Sequence, residues 1–259
     1  MATTRTVIHA AGRELTMVGT APLYLDWHYN WKADQSALLA CAKDLPAGTT
    51  VLDIGANIGM MCCSLAVQRP DLEIVAIEPV PENLRCLREN IAANGITNVE
   101  VIHAGVAEKP GKLRFDTSGP WSSVQATGGT EVDCLTLDSL DYSNVGLIKI
   151  DVEGWEPNVI AGGSQLLSQQ RPLVLMEWNT LCLVNVHHDP LSLAEALWSS
   201  FDILGSYFEE RPDTLPQSAS QLVHDNVVHH KSVTDVLMRP KIGATIPRLA
   251  EMIDAPRNW

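Results

Sequence analysis

The chain has 259 residues, 46% of them hydrophobic, and its 31 acidic against 18 basic side chains give a formal net charge of −13 at pH 7. This length suits one α/β domain with a complete core and short additions. A chain this acidic lacks the clustered Lys and Arg that a phosphate backbone requires, so we expect no nucleic-acid partner.

The N-terminal residues contain no apolar signal segment, which favours a cytoplasmic protein. The longest apolar runs have the length of strands, so we expect neither a membrane-spanning helix nor a membrane partner. The six cysteines form no Cys-x-x-Cys pair, and several lie within apolar patterns. We therefore expect reduced, mostly buried thiols and no metal site.

The first half of the chain predicts a hairpin and then a regular alternation of strands and helices. The hairpin covers residues 5–18, with Ala11 and Gly12 at its turn, and a helix follows over 34–44. The alternation then has strands at 50–54, 73–77 and 99–103 and helices at 58–68 and 81–93. A stretch rich in Gly, Ser and Thr at 116–130 is expected to form an exposed, mobile loop.

The second half continues the same pattern. It predicts strands at 131–135, 146–150 and 173–177, a helix from about 157 to 169, a helix near 190–200, strands near 201–206 and 233–238, and a terminal helix from 246. Five strands separated by helices, with a final antiparallel pair, favour a doubly wound α/β sheet of seven strands. Ligands of such sheets bind at the carboxyl ends of the strands.

The segment VLDIGANIG at 51–59 is the most informative stretch. A buried strand ends in Asp53, and Gly55, Asn57 and Gly59 follow at fixed spacing before a helix begins. A dinucleotide loop of the form GxGxxG has a different spacing, and a carboxylate at the turn would repel a pyrophosphate. A ligand with an ammonium or sulfonium group suits Asp53 better, and S-adenosylmethionine carries both.

The second and third strands add candidate ligand contacts. Glu78 closes the second strand, where an acidic side chain can accept hydrogen bonds from a ribose diol, and Pro79 follows it. A surface carboxylate before a proline is the alternative for Glu78. Small residues at Gly105 and Val106 would let an adenine ring lie against the backbone. His103 is more typical of a histidine at a sheet edge than of a base.

The fourth strand ends in the segment LIKIDVEGWEP. Asp151, Glu153 and Glu156 crowd its end, and Glu156 has an ordinary explanation as an acidic residue near a helix N-terminus. Asp151 leaves a buried strand beside the expected ligand, and Lys149 is either its partner or faces the other way. Metal ligation by these carboxylates is not required by their spacing.

The fifth strand and the segment after it carry the candidate bases. Glu177 is expected to orient the substrate or accept a proton, and His187 could take a proton from a hydroxyl near neutral pH. Surface exposure is the commoner outcome for His187 and for its neighbour His188. Three tryptophans could line a substrate pocket, or pack in the core: Trp121, Trp155 and Trp178.

With these residues in view, the chain resembles the FkbM-type family of S-adenosylmethionine-dependent methyltransferases. The resemblance covers roughly residues 34–180 and rests on five segments: VLDIGANIGM (51–60), IEPVPENLRCLRENIAANG (77–95), LTLDSL (135–140), LIKIDVEGWEPNVIAGG (147–163) and PLVLMEW (172–178). It implies a Rossmann-like class I methyltransferase sheet of seven strands, mostly parallel with a C-terminal antiparallel strand. It also implies O-methylation of a hydroxyl on a natural product, sugar or glycan.

The resemblance assigns roles to several residues. Asp53, Gly55, Asn57 and Gly59 would hold the methionine part of the donor, Glu78 the ribose, and Asp151 would lie near the reacting methyl group. The binding set then comprises those residues with Pro79, Gly105 and Val106, and the catalytic candidates are Asp151, Glu177 and His187. No family motif identifies the general base.

We accordingly divide the single domain 1–259 into three parts. Residues 1–45 form a hairpin and helix extension, 46–180 the cofactor-binding core, and 181–259 a C-terminal part on the substrate side. The tail with His224, His229 and His230 is particular to this chain, so the choice of acceptor is expected to reside there or in 1–33.

Two other functions stay open from the sequence. One is an RNA or protein methyltransferase, against which the acidic charge counts. The other is a cofactor-binding subunit without catalysis, against which the carboxylates at four strand ends count. The expected partner is a small hydroxylated substrate, and the sequence leaves open whether copies of the chain associate.

Overall fold

A central sheet with helices on both faces organises the chain. The computed structural model describes residues 4–10, 12–19, 32–115, 124, 129–208, 211–248 and 252. The elements up to residue 115 are β1 (Thr4–Ala10), β2 (Arg13–Gly19), α1 (Lys32–Ala42), β3 (Thr50–Ile54), α2 (Met60–Gln68), β4 (Glu73–Ile77), α3 (Pro81–Ala93), β5 (Val99–Ile102), β6 (Gly105–Val106) and β7 (Gly111–Phe115).

The elements after residue 128 complete the sheet and its covering helices. They are β8 (Thr130–Leu135), β9 (Val145–Ile150), α4 (Glu156–Ala161), α5 (Ser164–Gln170), β10 (Leu173–Asn179), α6 (Thr180–Asn185), α7 (Pro190–Ser200), β11 (Phe201–Phe208), β12 (Arg211–Pro212), α8 (Ala219–Val228) and β13 (Val233–Pro240). A short 3₁₀ turn at Leu137–Ser139 follows β8.

The strand order is β12-β11-β13-β10-β9-β3-β4-β5. The five strands from β10 to β5 are parallel, whereas β13 runs antiparallel to both β10 and β11. This confirms the predicted doubly wound sheet of seven strands, to which the two-residue β12 adds an edge. The chain order reverses between β3 and β9, and ligands of such sheets bind in the crevice at that point.

The central strands are apolar throughout because both of their faces are buried. Alternate residues face opposite sides, so Leu52 and Ile148 join one core cluster while Val51 and Leu147 join the other. On the second face, the parallel register places Asp53 beside Lys149. Two charged side chains therefore lie on a buried sheet face near its carboxyl edge.

The predicted N-terminal hairpin is confirmed as the antiparallel pair β1 and β2, although Ala11 at its turn lies outside the described residues. Its residues Leu15 and Met17 pack with Ile58 and Met60 in one cluster. The extension is thus attached to the loop and helix that follow β3.

Three sequence predictions need correction or lie outside the described chain. The single helix predicted over 157–169 is wrong: it divides into α4 and α5 at Gly162 and Gly163. Gly162 packs closely on the Ala107 carbonyl oxygen, which an added Cβ atom would approach to 2.1 Å. Strand β7 was not predicted; with β6 and β8 it forms a separate, three-stranded sheet. Most of the predicted loop at 116–130 and of the predicted helix from 246 lies outside the described residues.

None of the helices in the described part of the chain combines the length and the apolar character that a membrane-spanning helix needs. The six cysteines are all free thiols, and five of them are buried, as the sequence predicts.

Candidate functional site

Acidic side chains from adjacent strands meet at the carboxyl edge of the sheet. Asp53 is the fourth residue of β3, and Asp151 directly follows β9. The Lys149 ammonium lies near both, with its Nζ 2.9 Å from an oxygen of Asp151. Leu175 in β10 pairs with Lys149 in β9, and Glu177 lies two residues further along β10. Because side chains alternate along a strand, Glu177 shares the sheet face of Asp53 and Lys149.

Asp53 has the environment of a residue that receives a cation. It is 2% exposed, and neither of its carboxylate oxygens has a hydrogen-bond partner among the described residues. Burial raises the pKa of Asp53, whereas the nearby Lys149 ammonium and, more weakly, the Cys62 backbone N–H oppose this effect. A buried carboxylate whose oxygens make no well-formed hydrogen bond is costly in free energy, so a bound cationic group would relieve that cost.

The loop after β3 crosses close to the end of β9. Gly55 has φ +83°, and a Cβ atom at this position would lie 1.9 Å from the Asp151 carbonyl oxygen. Only glycine allows both this conformation and this close approach. The Asn57 backbone N–H donates to a Glu78 carboxylate oxygen at 2.8 Å, which joins the loop to the end of β4. At Gly59 a Cβ atom would lie 2.3 Å from Leu87 of α3, so this glycine also has a packing role.

Glu78 lies beneath that loop and is already engaged. Its second oxygen accepts from the Val80 backbone N–H at 2.9 Å and from the Asn83 amide at 3.1 Å. Burial raises the pKa of Glu78 to about 7. A carboxylate can accept about four hydrogen bonds. The three bonds observed here leave room for a ribose hydroxyl.

The residues after β5 have structural partners of their own. His103 donates from Nε2 to the Pro79 carbonyl oxygen at 3.0 Å, which is the behaviour of an edge histidine. Gly105 and Val106 are buried in β6, and a Cβ atom at Gly105 would lie 2.7 Å from the Cys134 sulfur. The absence of a side chain at Gly105 makes room for the three-stranded sheet of β6, β7 and β8. The contact of Gly105 with an adenine stays a prediction.

Sequence reasoning named Glu153 without giving it a role, and the structure places it beside the acidic edge. Its backbone has φ +55°, and its Oε2 lies 3.2 Å from the Cys182 sulfur at the start of α6. Burial and the charge of Asp151 raise the pKa of Glu153 to about 7. A carboxyl group poised near neutrality can accept a proton during a reaction. Only the contact with α6, a helix the sequence did not predict, reveals this environment.

Glu156 is buried, and it accepts hydrogen bonds from the Val152 and Gly154 backbone N–H groups, both at 3.2 Å. Burial raises its pKa to about 7. It holds the loop between β9 and α4 in place.

The two neighbouring histidines have opposite environments. His187 is exposed, with φ +65°, whereas His188 is buried with its Nδ1 2.9 Å from the Gly154 carbonyl oxygen. The rings of His188 and Trp155 lie 5.9 Å apart, and burial lowers the pKa of His188. His188 therefore contacts the loop after β9, and His187 faces solvent.

Trp155 and Trp178 also differ in their environments. Trp178 is fully buried in the core and donates from Nε1 to the Thr180 hydroxyl at 3.2 Å, so core packing accounts for it. Trp155 is half-buried, and its indole N–H is buried without a partner in the described part of the chain. Trp121 lies outside the described residues.

The net effect is an acidic site. Among the described residues, Asp53, Asp151, Glu153 and Glu177 supply four carboxyl groups at the edge that holds the Lys149 ammonium. Such a cluster attracts a cationic ligand and repels an anionic one.

Comparison with known proteins shows which family this sequence resembles. The family described as the methyltransferase FkbM domain matches residues 53–211. A 139-residue region is 31% identical to ribosomal RNA small subunit methyltransferase G of Kineococcus radiotolerans, covering 52% of this chain and 49% of that protein. A 109-residue region is 34% identical to the protein of the same name from Mycolicibacterium paratuberculosis, covering 42% of each. The chain thus spans less than half of these relatives.

A solved structure with a TM-score of 0.50 shares the fold at low identity. A structure of a fibrillarin/Nop5p complex superposes with a TM-score of 0.50 at 14% identity, covering 82% of this chain and 83% of that one. The methyltransferase FkbM of Methylobacillus flagellatus superposes with a TM-score of 0.43 at 20% identity, covering 62% and 45% of the two chains. The family match extends over more than half of the sequence and includes both Asp53 and Asp151. The chain belongs to the FkbM methyltransferase family.

Proposed function

We propose that this protein transfers a methyl group from S-adenosylmethionine to a hydroxyl oxygen of a small molecule, sugar or glycan. The observation that carries the proposal is the buried Asp53 carboxylate beside the tight crossing at Gly55; neither of its oxygens makes a well-formed hydrogen bond with the described residues. The donor, when bound, supplies a methyl group on a positively charged sulfur. Family membership supports the reaction class, and the acidic edge supports a cationic donor.

The chain's own residues would divide the work of binding. Asp53 and the Gly55–Gly59 loop would hold the ammonium end of the donor, and Glu78 would accept a hydrogen bond from its ribose. Asp151, fixed by Lys149, would face the reacting centre. Alignment of donor and acceptor supplies much of the acceleration in such a transfer.

A proton must also leave the acceptor hydroxyl. Glu177 and His187 are the candidates from sequence, and the environment of Glu153 adds a third. A carboxyl group with a pKa of about 7, as burial gives Glu153, accepts a proton only in its ionised form. If Glu153 is the base, kcat should therefore rise with pH through about 7.

An assay with radiolabelled donor and a panel of hydroxylated acceptors tests the function. We expect methyl transfer to at least one neutral or cationic acceptor. Replacements Glu177→Gln, Glu153→Gln and His187→Ala identify the base, since loss of a general base reduces kcat about 10²–10⁴-fold. The exposed Glu195→Gln on α7 serves as the matched control. Donor binding without transfer to any acceptor or RNA would favour a binding subunit and contradict the proposal.

RNA methylation is the second candidate, because the curated relatives are named as ribosomal RNA methyltransferases at 31–36% identity. The net charge of −13 counts against it. Small-subunit ribosomal RNA in the same assay discriminates the two. Transfer to RNA in preference to every small acceptor would replace the first proposal with the second.

A further inference from the structure

Two histidines and an aspartate meet at the C-terminal end of α8, far along the chain from the acidic edge. His224, Asp225 and His229 each offer a ligand atom, and these atoms all lie within 4.8 Å of one another. The Nδ1 of His224 lies 3.0 Å from an oxygen of Asp225. The rings of His224 and His229 have centroids 5.8 Å apart and meet edge to face.

The helix fixes this arrangement. Asp225 and His229 are four residues apart, and the His229 backbone N–H donates to the Asp225 carbonyl oxygen at 2.8 Å, so the two side chains lie on one helix face. The next residue, Asn226, is fully buried; its amide donates to the Trp178 carbonyl oxygen at 2.9 Å and accepts from the Thr180 hydroxyl at 2.7 Å. These bonds set the rotation of α8, and the three ligand atoms face outward together.

The surroundings favour a cation at this position. The C-terminal end of a helix carries a partial negative charge, and the whole chain is acidic. The adjacent His230 turns inward and pairs with Asp213 at 2.5 Å, so it is engaged elsewhere.

We propose that His224, Asp225 and His229 form a binding site for a divalent transition-metal ion of the Zn²⁺ type, completed by water. Imidazole nitrogen and carboxylate oxygen are ligands that Zn²⁺ accepts at about 2.0–2.2 Å, and sites with three protein ligands keep a further position for water. The sequence predicted no metal because the cysteines lack ligand spacing; this site uses no cysteine. Asn226 links α8 to Trp178 and Thr180 at the end of β10. A bound ion would therefore stabilise the packing of α8 against the strand that carries Glu177.

Titration of the metal-free 259-residue chain with zinc chloride tests the site, with calorimetry and thermal unfolding as readouts. We expect one equivalent of Zn²⁺ to bind and to raise Tm. His224→Ala and His229→Ala should each weaken binding at least about tenfold, because loss of a mere outer-shell partner of a ligand already costs about 10–100-fold. Asp225→Asn should also weaken it.

His9→Ala is the matched control, since His9 is an exposed histidine on the distant β1 and should leave binding unchanged. The substituted histidines are exposed, so the variants should fold, and far-ultraviolet circular dichroism verifies this. Absence of saturable binding to the wild type would overturn the proposal. Binding of equal affinity to the His224→Ala/His229→Ala double variant would overturn it as well. Neither readout depends on methyl transfer.

Discussion

Glu156 is a buried carboxylate whose pKa is raised to about 7 by burial, from an ordinary value of 4.5. The folded chain therefore binds this proton more tightly than the unfolded chain does. Between about pH 4.5 and 7 the unfolded state loses the proton first, so the contribution of Glu156 to stability falls as pH rises through this window.

Glu156→Gln removes this titration and retains an oxygen that can accept from Val152 and Gly154. We expect the free energy of unfolding of the variant, relative to wild type, to rise between pH 5 and 8 by on the order of 1–3 kcal/mol. Urea unfolding at the two pH values measures the difference. The exposed Glu195→Gln should show no such change. An equal pH dependence in the Glu156→Gln variant and wild type would show that Glu156 is not protonated in the fold.

At the residue scale, the carboxylates predicted at the strand ends do lie there. A strand that is buried on both faces is apolar, so its polar side chains come where it reaches the edge of the sheet. The sequence could not separate His187 from His188, since adjacent residues point in different directions once α6 forms. Gly105 shows a similar limit, because a glycine needed for packing against Cys134 looks the same in sequence as one needed for a ligand.

At the scale of elements, α3 anchors the N-terminal hairpin through two asparagines. Asn90 is fully buried, accepts from the Val18 backbone N–H at 2.6 Å, and donates to the carbonyl oxygens of Val18 at 3.1 Å and Ile58 at 2.8 Å. Asn94 makes the corresponding pair of bonds with Thr16. One helix thus holds both the hairpin and the loop after β3.

Asn90→Ala should destabilise the protein by about 1–3 kcal/mol, because it leaves the buried Val18 N–H without a partner. Denaturant unfolding measures the loss. Asn94→Ala, which is less buried, should cost less and serves as the comparison. A change in stability no larger than that of Asn94→Ala would mean that the hairpin does not depend on Asn90.

Strands and helices with a clear apolar period were predicted nearly residue by residue, and α3 and β4 have the predicted bounds. Helices α6 and α8 were missed, and so were two features that depend on distant contacts. At the break between α4 and α5, Gly162 packs on the Ala107 carbonyl, a contact that the local sequence does not reveal. Strand β7 is short, and it pairs with β8 only across a long intervening segment.

At the scale of the molecule, the reversal of strand order between β3 and β9 creates the site. It brings Asp53 against Lys149 and Asp151, residues almost a hundred positions apart, and leaves the Asp53 carboxylate buried without a partner among the described residues. The sequence could predict which strands end in carboxylates. The pairing of β3 with β9, and with it the buried ammonium between two carboxylates, needed the folded sheet.

Isothermal titration with S-adenosylhomocysteine and S-adenosylmethionine tests whether the acidic edge around Asp53 binds the methyl donor. Wild type should bind both, and Asp53→Asn, which removes the buried charge at constant size, should weaken binding at least about tenfold, or about 1.4 kcal/mol. The exposed Asp202→Asn on β11 is the matched control and should bind like wild type. Absence of binding to the wild type, or unchanged affinity in Asp53→Asn, would contradict the account.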